Sequence, residues 1–384
     1  MDGSHQDTGL SAVCRVEALA EKVARGRDDF DLNRRLPDML ISSLAEADLF
    51  RLTVPRWCGG EQLTLPELLC VIEAASALDA SLAWVLTNAA VTGRMSGFLP
   101  RKVAADWFAT PNCMIARSTA ALGVAVSVDG GYRVSGVWPF ASGIHAATRV
   151  MGLCEIAGSD DPMARLIGAF LPVAAVLVRD DWFASGLRGS GSCTFSATEV
   201  FVPEEHIIPF LAHRPVIAEQ PYHLPHLSIF PLSVTMVALG IVKAAVADFT
   251  ALAERTRGGT SVKLAEREMI QTDLGRSITL HRAARALVLD ALAELEQAFL
   301  DPQADRTMPR AFFRASLAQA GELCERAMSI ICCAVGTASI LQTSPFERRQ
   351  RDLTAAARHV AMGPHNLTVL GRVHLGLDPG TQRF

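Results

Sequence analysis

The sequence predicts a mostly helical α+β protein in three parts. These are an N-terminal helical domain over 1–110, a central antiparallel β-barrel or sandwich over 111–210, and a C-terminal four-helix bundle over 211–384. Three observations predict it. Apolar residues recur at helical spacing up to about residue 110, short apolar runs divided by turn residues fill 113–203, and long stretches of helical period return from about 224. A chain of 384 residues also exceeds the roughly 250–300 over which one core grows, so more than one substructure is expected.

In the first part, Val13, Val16, Leu19, Ala20 and Val23 mark one helix. Pro37 opens a second over 37–49, and Pro55 to Gly60 form a turn. A third helix runs from Leu65 to Leu78, opened by Thr64 or Pro66; Asp79 caps a fourth that carries Leu82, Trp84 and Val85, and another starts at 101–108. Strands are expected at Cys113–Arg117, Gly123–Val128, Tyr132–Trp138, Val150–Ile156, Leu166–Leu171, Ala175–Val178 and Cys193–Val202, with Asp129-Gly130-Gly131 as a hairpin turn. The bundle helices are expected at Ile229–Glu254, Ala265–Leu300, 309–341 and 347–362, with a kink at Pro231 and a stop at Gly363-Pro364.

Composition narrows the function classes. The formal net charge is −4, and the one dense basic cluster is short (347–351), so nothing points to nucleic acid. The nine cysteines contain no C-x-x-C pair and no zinc-ligand spacing, which suits free thiols in a reducing compartment. Segments 227–242 and 327–346 lack charges, but the first is shorter than the ~20 residues of a membrane span and the second is interrupted by polar residues and Pro345. Both read as buried bundle helices, and the expectation is a cytoplasmic protein without a membrane partner. A hydrophobic content of 50% exceeds what one subunit's helices need to bury, so a homotetramer is expected.

Four places can carry chemistry. The turn Trp138-Pro139-Phe140-Ala141-Ser142-Gly143 reads either as a plain strand end with core aromatics or as a close backbone approach to a flat ligand, with a serine hydroxyl beside aromatic rings. His359 lies seven positions after Asp352, on nearly the same face of a continuous helix; it reads as a general base or as an ordinary hydrogen-bonded histidine, with His365 and His374 as competitors. Gly186 to Ser192 (GLRGSGS) reads as a flexible loop or as an anion-binding nest of N–H groups, and has neither a Walker lysine nor a following helix. Arg348, Arg349 and Arg351 form a solvated helix face or grip a phosphate or a neighbouring subunit.

Taken together, these pieces resemble the acyl-CoA dehydrogenase superfamily of flavoproteins over roughly 10–384. The resemblance is carried in order by VPRWCGG (54–60), DASLAW (79–84), GGYRVSGVWPFASG (130–143), GLRGSGS with TEVFVPEEHII (198–208), VGT (335–337) and ERRQRDL (347–353). Within it the sequence is most similar to the group D two-component flavin-dependent monooxygenases, through DASLAW, the W-x-F-x-S-G turn and the Arg351-Asp352…His359 spacing. The dehydrogenases use a carboxylate base at one of two places. Here His359 and Val360 stand at the first, and no Asp or Glu lies between Glu219 and Asp248 at the second.

The resemblance implies reduced flavin, FMN or FAD, delivered by a separate reductase, and O2 activated as a flavin hydroperoxide. The substrate class it implies is an aromatic or electron-rich small molecule. It implies that Ser142 meets flavin N5, that Trp138 and Phe140 wall the isoalloxazine, and that Ala141, Gly143, Arg188, Ser190, Gly336 and Arg351 complete the cofactor site. It further implies that Trp84 and Phe140 line the substrate side, and that His359 either deprotonates a substrate hydroxyl or hydrogen-bonds the peroxide. The segment 257–268 lacks the R-x-x-F-G pattern of many FAD-bound dehydrogenases, which leaves the flavin's identity open and suits a diffusible one. The loops 84–100 and 209–228 are expected to shape the substrate pocket.

Overall fold

The computed structural model describes residues 3–161, 163–212, 214–217, 219, 221–255 and 263–381, with side chains from residue 8 onward. Residues 257–262 of the segment 257–268 therefore lie outside the described residues. The chain divides into two compact units, Met1–Phe183 with Arg188–His226, and Ala184–Leu187 with Leu227–Phe384.

The first unit opens with six helices: α1 (Gly3–Glu17), α2 (Ala20–Asn33), α3 (Asp38–Glu46), α4 (Leu65–Leu78), α5 (Ala80–Arg94) and α6 (Arg101–Phe108). The helix expected around Val13–Val23 is two helices, broken at Ala18–Leu19. Capping explains the sharpest boundary. Thr64 and Glu67 form a reciprocal capping box at α4, and Asp79 Oδ1 accepts from the N–H groups of Ser81 (2.8 Å) and Leu82 (3.1 Å) to start α5 directly after it.

Seven strands follow: β1 (Ile115–Val128), β2 (Gly131–Ala141), β3 (Arg149–Ile156), β4 (Leu166–Pro172), β5 (Leu177–Val178), β6 (Cys193–Pro203) and β7 (Ile207–Pro209). They form one open sheet in the order β5-β6-β2-β1-β3-β4-β7. The two strands expected before Asp129 are one, with a register shift between Ser118 and Gly123. β7 is a strand the sequence reading does not contain.

The sheet also departs from the antiparallel expectation at one pair. β1 and β3 run parallel, Ile115 beside Arg149. The cause is the connection after β2. The chain leaves the β1–β2 hairpin and crosses the start of β1, where the Thr148 N–H donates to Met114 O (2.9 Å), and β3 then lies on the far side of β1. The crossing is residues 142–148, so the small-residue turn is required by topology before any ligand is considered.

The second unit holds α7 (His226–Ala253, from its second residue), α8 (Glu268–Leu300), α9 (Thr307–Val335), α10 (Pro345–Ala357) and α11 (His365–His374). α7 runs unbroken through Pro231. It is long and apolar enough to cross a bilayer, yet 83% of its most apolar window is buried inside the protein, as in a core helix. The helix expected over 347–362 ends at Ala357, and a further helix, α11, follows it.

Candidate functional site

The turn after β2 begins with a bulge. Trp138 and Ala141 are both fully buried, three residues apart instead of two, and the β2–β6 register shifts between them. The extra residue throws Phe140 outward. It is 60% exposed and has φ of 64°, the left-handed region that bulky residues avoid. That backbone costs about 1–3 kcal/mol, and leaving the ring in water forgoes burial worth about 1.5–3 kcal/mol more. The Phe140 ring is thus held outward at a cost in both backbone strain and burial. Trp182 stands edge-on to it at 6.4 Å, a partner the sequence reading misses because it lies in a loop forty residues on.

Trp138 does the opposite, which corrects its expected role as a wall for the ring system. Its indole is fully buried, stacked on Phe195 at 5.0 Å, and donates through Nε1 to Leu153 O at 2.9 Å. Gly123, Gly136 and Gly152, on β1, β2 and β3, open the slot it fills: a Cβ on any of them would fall 2.2–2.6 Å from the ring. Trp138 is a core residue with no surface left for a ligand. Ala141 is likewise fully buried.

The next residue, Ser142, is 5% exposed and sits in a chain of polar contacts. The Trp84 indole N–H donates to Ser142 Oγ at 2.9 Å. Ser142 Oγ lies 2.8 Å from Ser192 Oγ, which lies 2.7 Å from Ser190 Oγ. The backbone reinforces this, since the Gly143 N–H donates to Ser190 O at 2.8 Å. Gly143 has φ of 75°, which glycine adopts without strain. Gly189 packs so closely on Phe30 and Ser81 that a Cβ would meet them at 2.8 and 3.1 Å. Three sequence-remote pieces (α5, the turn, and the 189–192 loop) thus meet at Ser142. Trp84 is 9% exposed and its N–H is engaged by Ser142, so it braces the turn from behind. Ser192 belongs to the GLRGSGS stretch that the sequence marks as a candidate nest, but its bond to Ser142 is visible only in the fold.

A cleft of about 280 Å³ borders this chain; its polar lining residues include Arg35, Asp38, Asn112, His145 and Ser190. The His145 imidazole is held below its ordinary pKa by burial and by nearby Arg35.

Nor is 84–100 a loop. It is the second half of α5 and a short 3-10 turn, Met95–Phe98. It reaches the 209–228 segment through Arg94, which is 1% exposed. The guanidinium donates to the carbonyls of Pro221, Tyr222 and Leu224, and to His226 Nδ1 at 3.2 Å. Because arginine only donates, His226 must accept at Nδ1 and carries its proton on Nε2. Burial pushes the Arg94 pKa down to about 9, so it stays charged at neutral pH.

The second unit holds the other predicted residues. Asp352, 2% exposed, accepts from the Leu187 N–H at 2.7 Å, and Gly186 lies against the Arg351 backbone so tightly that a Cβ would be 2.2 Å from Arg351 O. Arg351 Nε is 3.6 Å from Glu347. Arg349 pairs with Asp248 at 2.6 Å. The Arg-Asp pair therefore anchors the 184–187 segment. Gly336, with φ of 65°, ends α9. Arg188, in the first unit, is half-buried.

His359 does not share a helix face with Asp352, because α10 has already ended. Its backbone is extended (φ −66°, ψ 139°), and its Nδ1 accepts from the Ala361 N–H at 3.1 Å, starting the turn Val360–Met362. Asn366, 2% exposed, holds that turn: its Nδ2 lies within 3.0–3.2 Å of the carbonyls of Val360, Ala361 and Gly363, and its Oδ1 accepts from Arg314 Nε at 3.1 Å. With Nδ1 accepting, the neutral imidazole carries its proton on Nε2 and presents a donor there.

The chain belongs to the acyl-CoA dehydrogenase family. It matches the family's N-terminal domain over residues 14–96 and its C-terminal domain over 232–364. Among its relatives, the chain is 28% identical to the FADH(2)-dependent resorcinol hydroxylase, oxygenase component, of a Rhizobium species, over 96% of this chain and 95% of that one. It is 29% identical to a pigment production hydroxylase of a Rhodococcus species, over 92% of each. Among solved structures it is similar to XiaF from a Streptomyces species in complex with FADH2 and glycerol, with a TM-score of 0.90 and 24% identity over 98% of each chain.

Proposed function

We infer that this chain is the oxygenase component of a two-component flavin-dependent monooxygenase. It takes reduced flavin, FMNH2 or FADH2, from a separate reductase and hydroxylates an aromatic or electron-rich small molecule with O2. Relatives named as oxygenase components match it over nearly its whole length. The observation that carries the reading from the structure is the pairing of the outward-held Phe140 ring with the buried Ser142 hydroxyl at one bulge. The first offers a flat stacking surface and the second a hydrogen bond at a ring nitrogen, and a flavin needs both.

Bound reduced flavin supplies the O2-activating chemistry. Phe140 and Trp182 would hold its ring system, the Ser142 hydroxyl would supply a hydrogen bond to it, and Trp84 would keep water from that hydroxyl. Gly143, Ser190 and Arg188 would complete the cofactor-binding set of the first unit; Gly336 and Arg351 of the second unit are proposed as flavin contacts on the family resemblance alone. His359 would serve as a hydrogen-bond donor through its Nε2–H in preference to abstracting a proton, because its Nδ1 is engaged by Ala361. A histidine also stands where the dehydrogenases use a carboxylate, which argues against acyl thioester dehydrogenation. The enzyme works as a cytoplasmic homotetramer.

The test is reconstitution. Purified protein with NAD(P)H, a flavin reductase, FMN or FAD, and O2 is expected to convert some member of a phenol panel to a product one oxygen atom heavier by mass spectrometry. A yellow protein bleached by an acyl-CoA without reductase would overturn the reading.

A further inference from the structure

We propose that Ser142, Ser192 and Ser190 form a proton relay between the flavin-facing turn and the cleft that Ser190 lines with Arg35, Asp38 and His145; this rests on the oxygenase reading above. The three hydroxyls stand in line, with Oγ separations of 2.8 and 2.7 Å, and are 5%, 4% and 1% exposed. Burying hydroxyls is unfavourable unless each is bonded, and an apolar contact would brace the two loops equally well. Linked hydroxyls add one capability, which is to pass a proton.

The ends of the chain are built differently. At the inner end the Trp84 indole N–H, which only donates, occupies one acceptor position of Ser142. Ser142 keeps one acceptor position and its own O–H. At the outer end Ser190 lines the cleft shared with Arg35, Asp38, Asn112 and His145. The spacing between the ends is held by the Gly143 N–H to Ser190 O bond and by the close seat of Gly189 on Phe30 and Ser81.

The chain has two polarities. In one, Ser142 donates to Ser192, Ser192 to Ser190, and Ser190 to water in the cleft, so Ser142 accepts from an N–H facing it. In the other, each bond is reversed and Ser142 donates inward to a lone pair. Reduced flavin presents N–H at N5 and oxidised flavin a lone pair, so each polarity suits one redox state. Passing from the first to the second moves one proton outward. With flavin bound, Ser142 would take up a proton from the N–H facing it and give its own to Ser192, Ser192 would give its own to Ser190, and Ser190 would give its own to cleft water. Each serine oxygen would end with one proton and the relay itself carries no electrons; the two electrons given up as the flavin returns to its oxidised state go to O2, which is reduced to H2O2 or to water and the hydroxyl of the product.

Anaerobic titration with reduced and with oxidised flavin tests this on the wild type, Ser192→Ala, Ser190→Ala and Ser192→Thr. In the first polarity either alanine leaves a buried O–H without an acceptor. Reduced flavin is therefore expected to bind about tenfold more weakly, the equivalent of one lost hydrogen bond, while oxidised flavin changes less than about threefold. Ser192→Thr keeps the hydroxyl and is expected to restore affinity. In H2O/D2O mixtures the return of bound flavin to its oxidised state is expected to show a curved proton inventory in the wild type and a linear one in either alanine variant. If Ser192→Ala does not fold, Ser190→Ala gives the same reading. Equal losses for both redox states, or unchanged inventories, would leave the serines as a brace and overturn the relay alone. A wild type that binds neither flavin state would remove the oxygenase reading and the relay with it.

Discussion

His359 shows how one hydrogen bond changes a residue's chemistry. Its type and place in the sequence suit a base, but Nδ1 accepts from the Ala361 N–H, so the proton of the neutral ring sits on Nε2. The donor role predicts a graded mutant series. His359→Ala is expected to lower product formation by about 10²-fold, the lower end of what a positioned proton-handling group contributes. His359→Gln, which retains an N–H donor, is expected to fall several-fold less in the same steady-state assay. Equal losses in both variants would argue for a base. At Ser142, removal of the hydroxyl by Ser142→Ala is expected to raise the fraction of reducing equivalents appearing as H2O2, measured against product. Wild-type coupling would remove Ser142 from the flavin contact. The serine was legible in the sequence because a small-residue turn after a strand stands out; its bond to Ser192 was not, because it joins residues 50 positions apart that only the fold brings together.

At the scale of elements, Trp138 organises the sheet. Gly136→Ala would place a methyl 2.6 Å from its ring, and overpacking of this kind costs about 1–3 kcal/mol in urea or thermal unfolding. Gly275 in α8 is the contrast. Nothing lies near its Cβ position, so Gly275→Ala is expected to stabilise by about 0.5–1 kcal/mol through helix propensity. Glu296 in the same helix gives a pH signature. Burial alone pushes its carboxyl up to about 7. Between the ordinary glutamate value and about 7 the folded state therefore binds more protons than the unfolded one, and stability falls as pH rises through that window. Glu296→Gln removes this dependence: it is expected to be more stable than the wild type at pH 8, on the order of 1 kcal/mol after solvent screening, and equal to it at pH 4.

For the whole molecule, the chain's 50% hydrophobic content and exposed apolar side chains such as Val124, Val126 and Leu177 support the tetramer expected for it. Light scattering after size-exclusion chromatography is expected to give four times the 41.2 kDa chain mass, and a monomer would contradict it. Helical and strand periods placed most elements within a few residues, because amphipathic spacing and capping residues such as Asp79 are local properties. Local signals also marked the Ser142 turn, and motif order identified the flavoprotein family. What they could not contain was set by distant partners. The parallel β1–β3 pair follows from a crossing turn, the core position of Trp138 from three glycines on three strands, and the end of α10 before His359 from a turn held by Asn366 and Arg314. Each depends on atoms far apart in sequence and close in space, which no periodicity or spacing along the chain encodes.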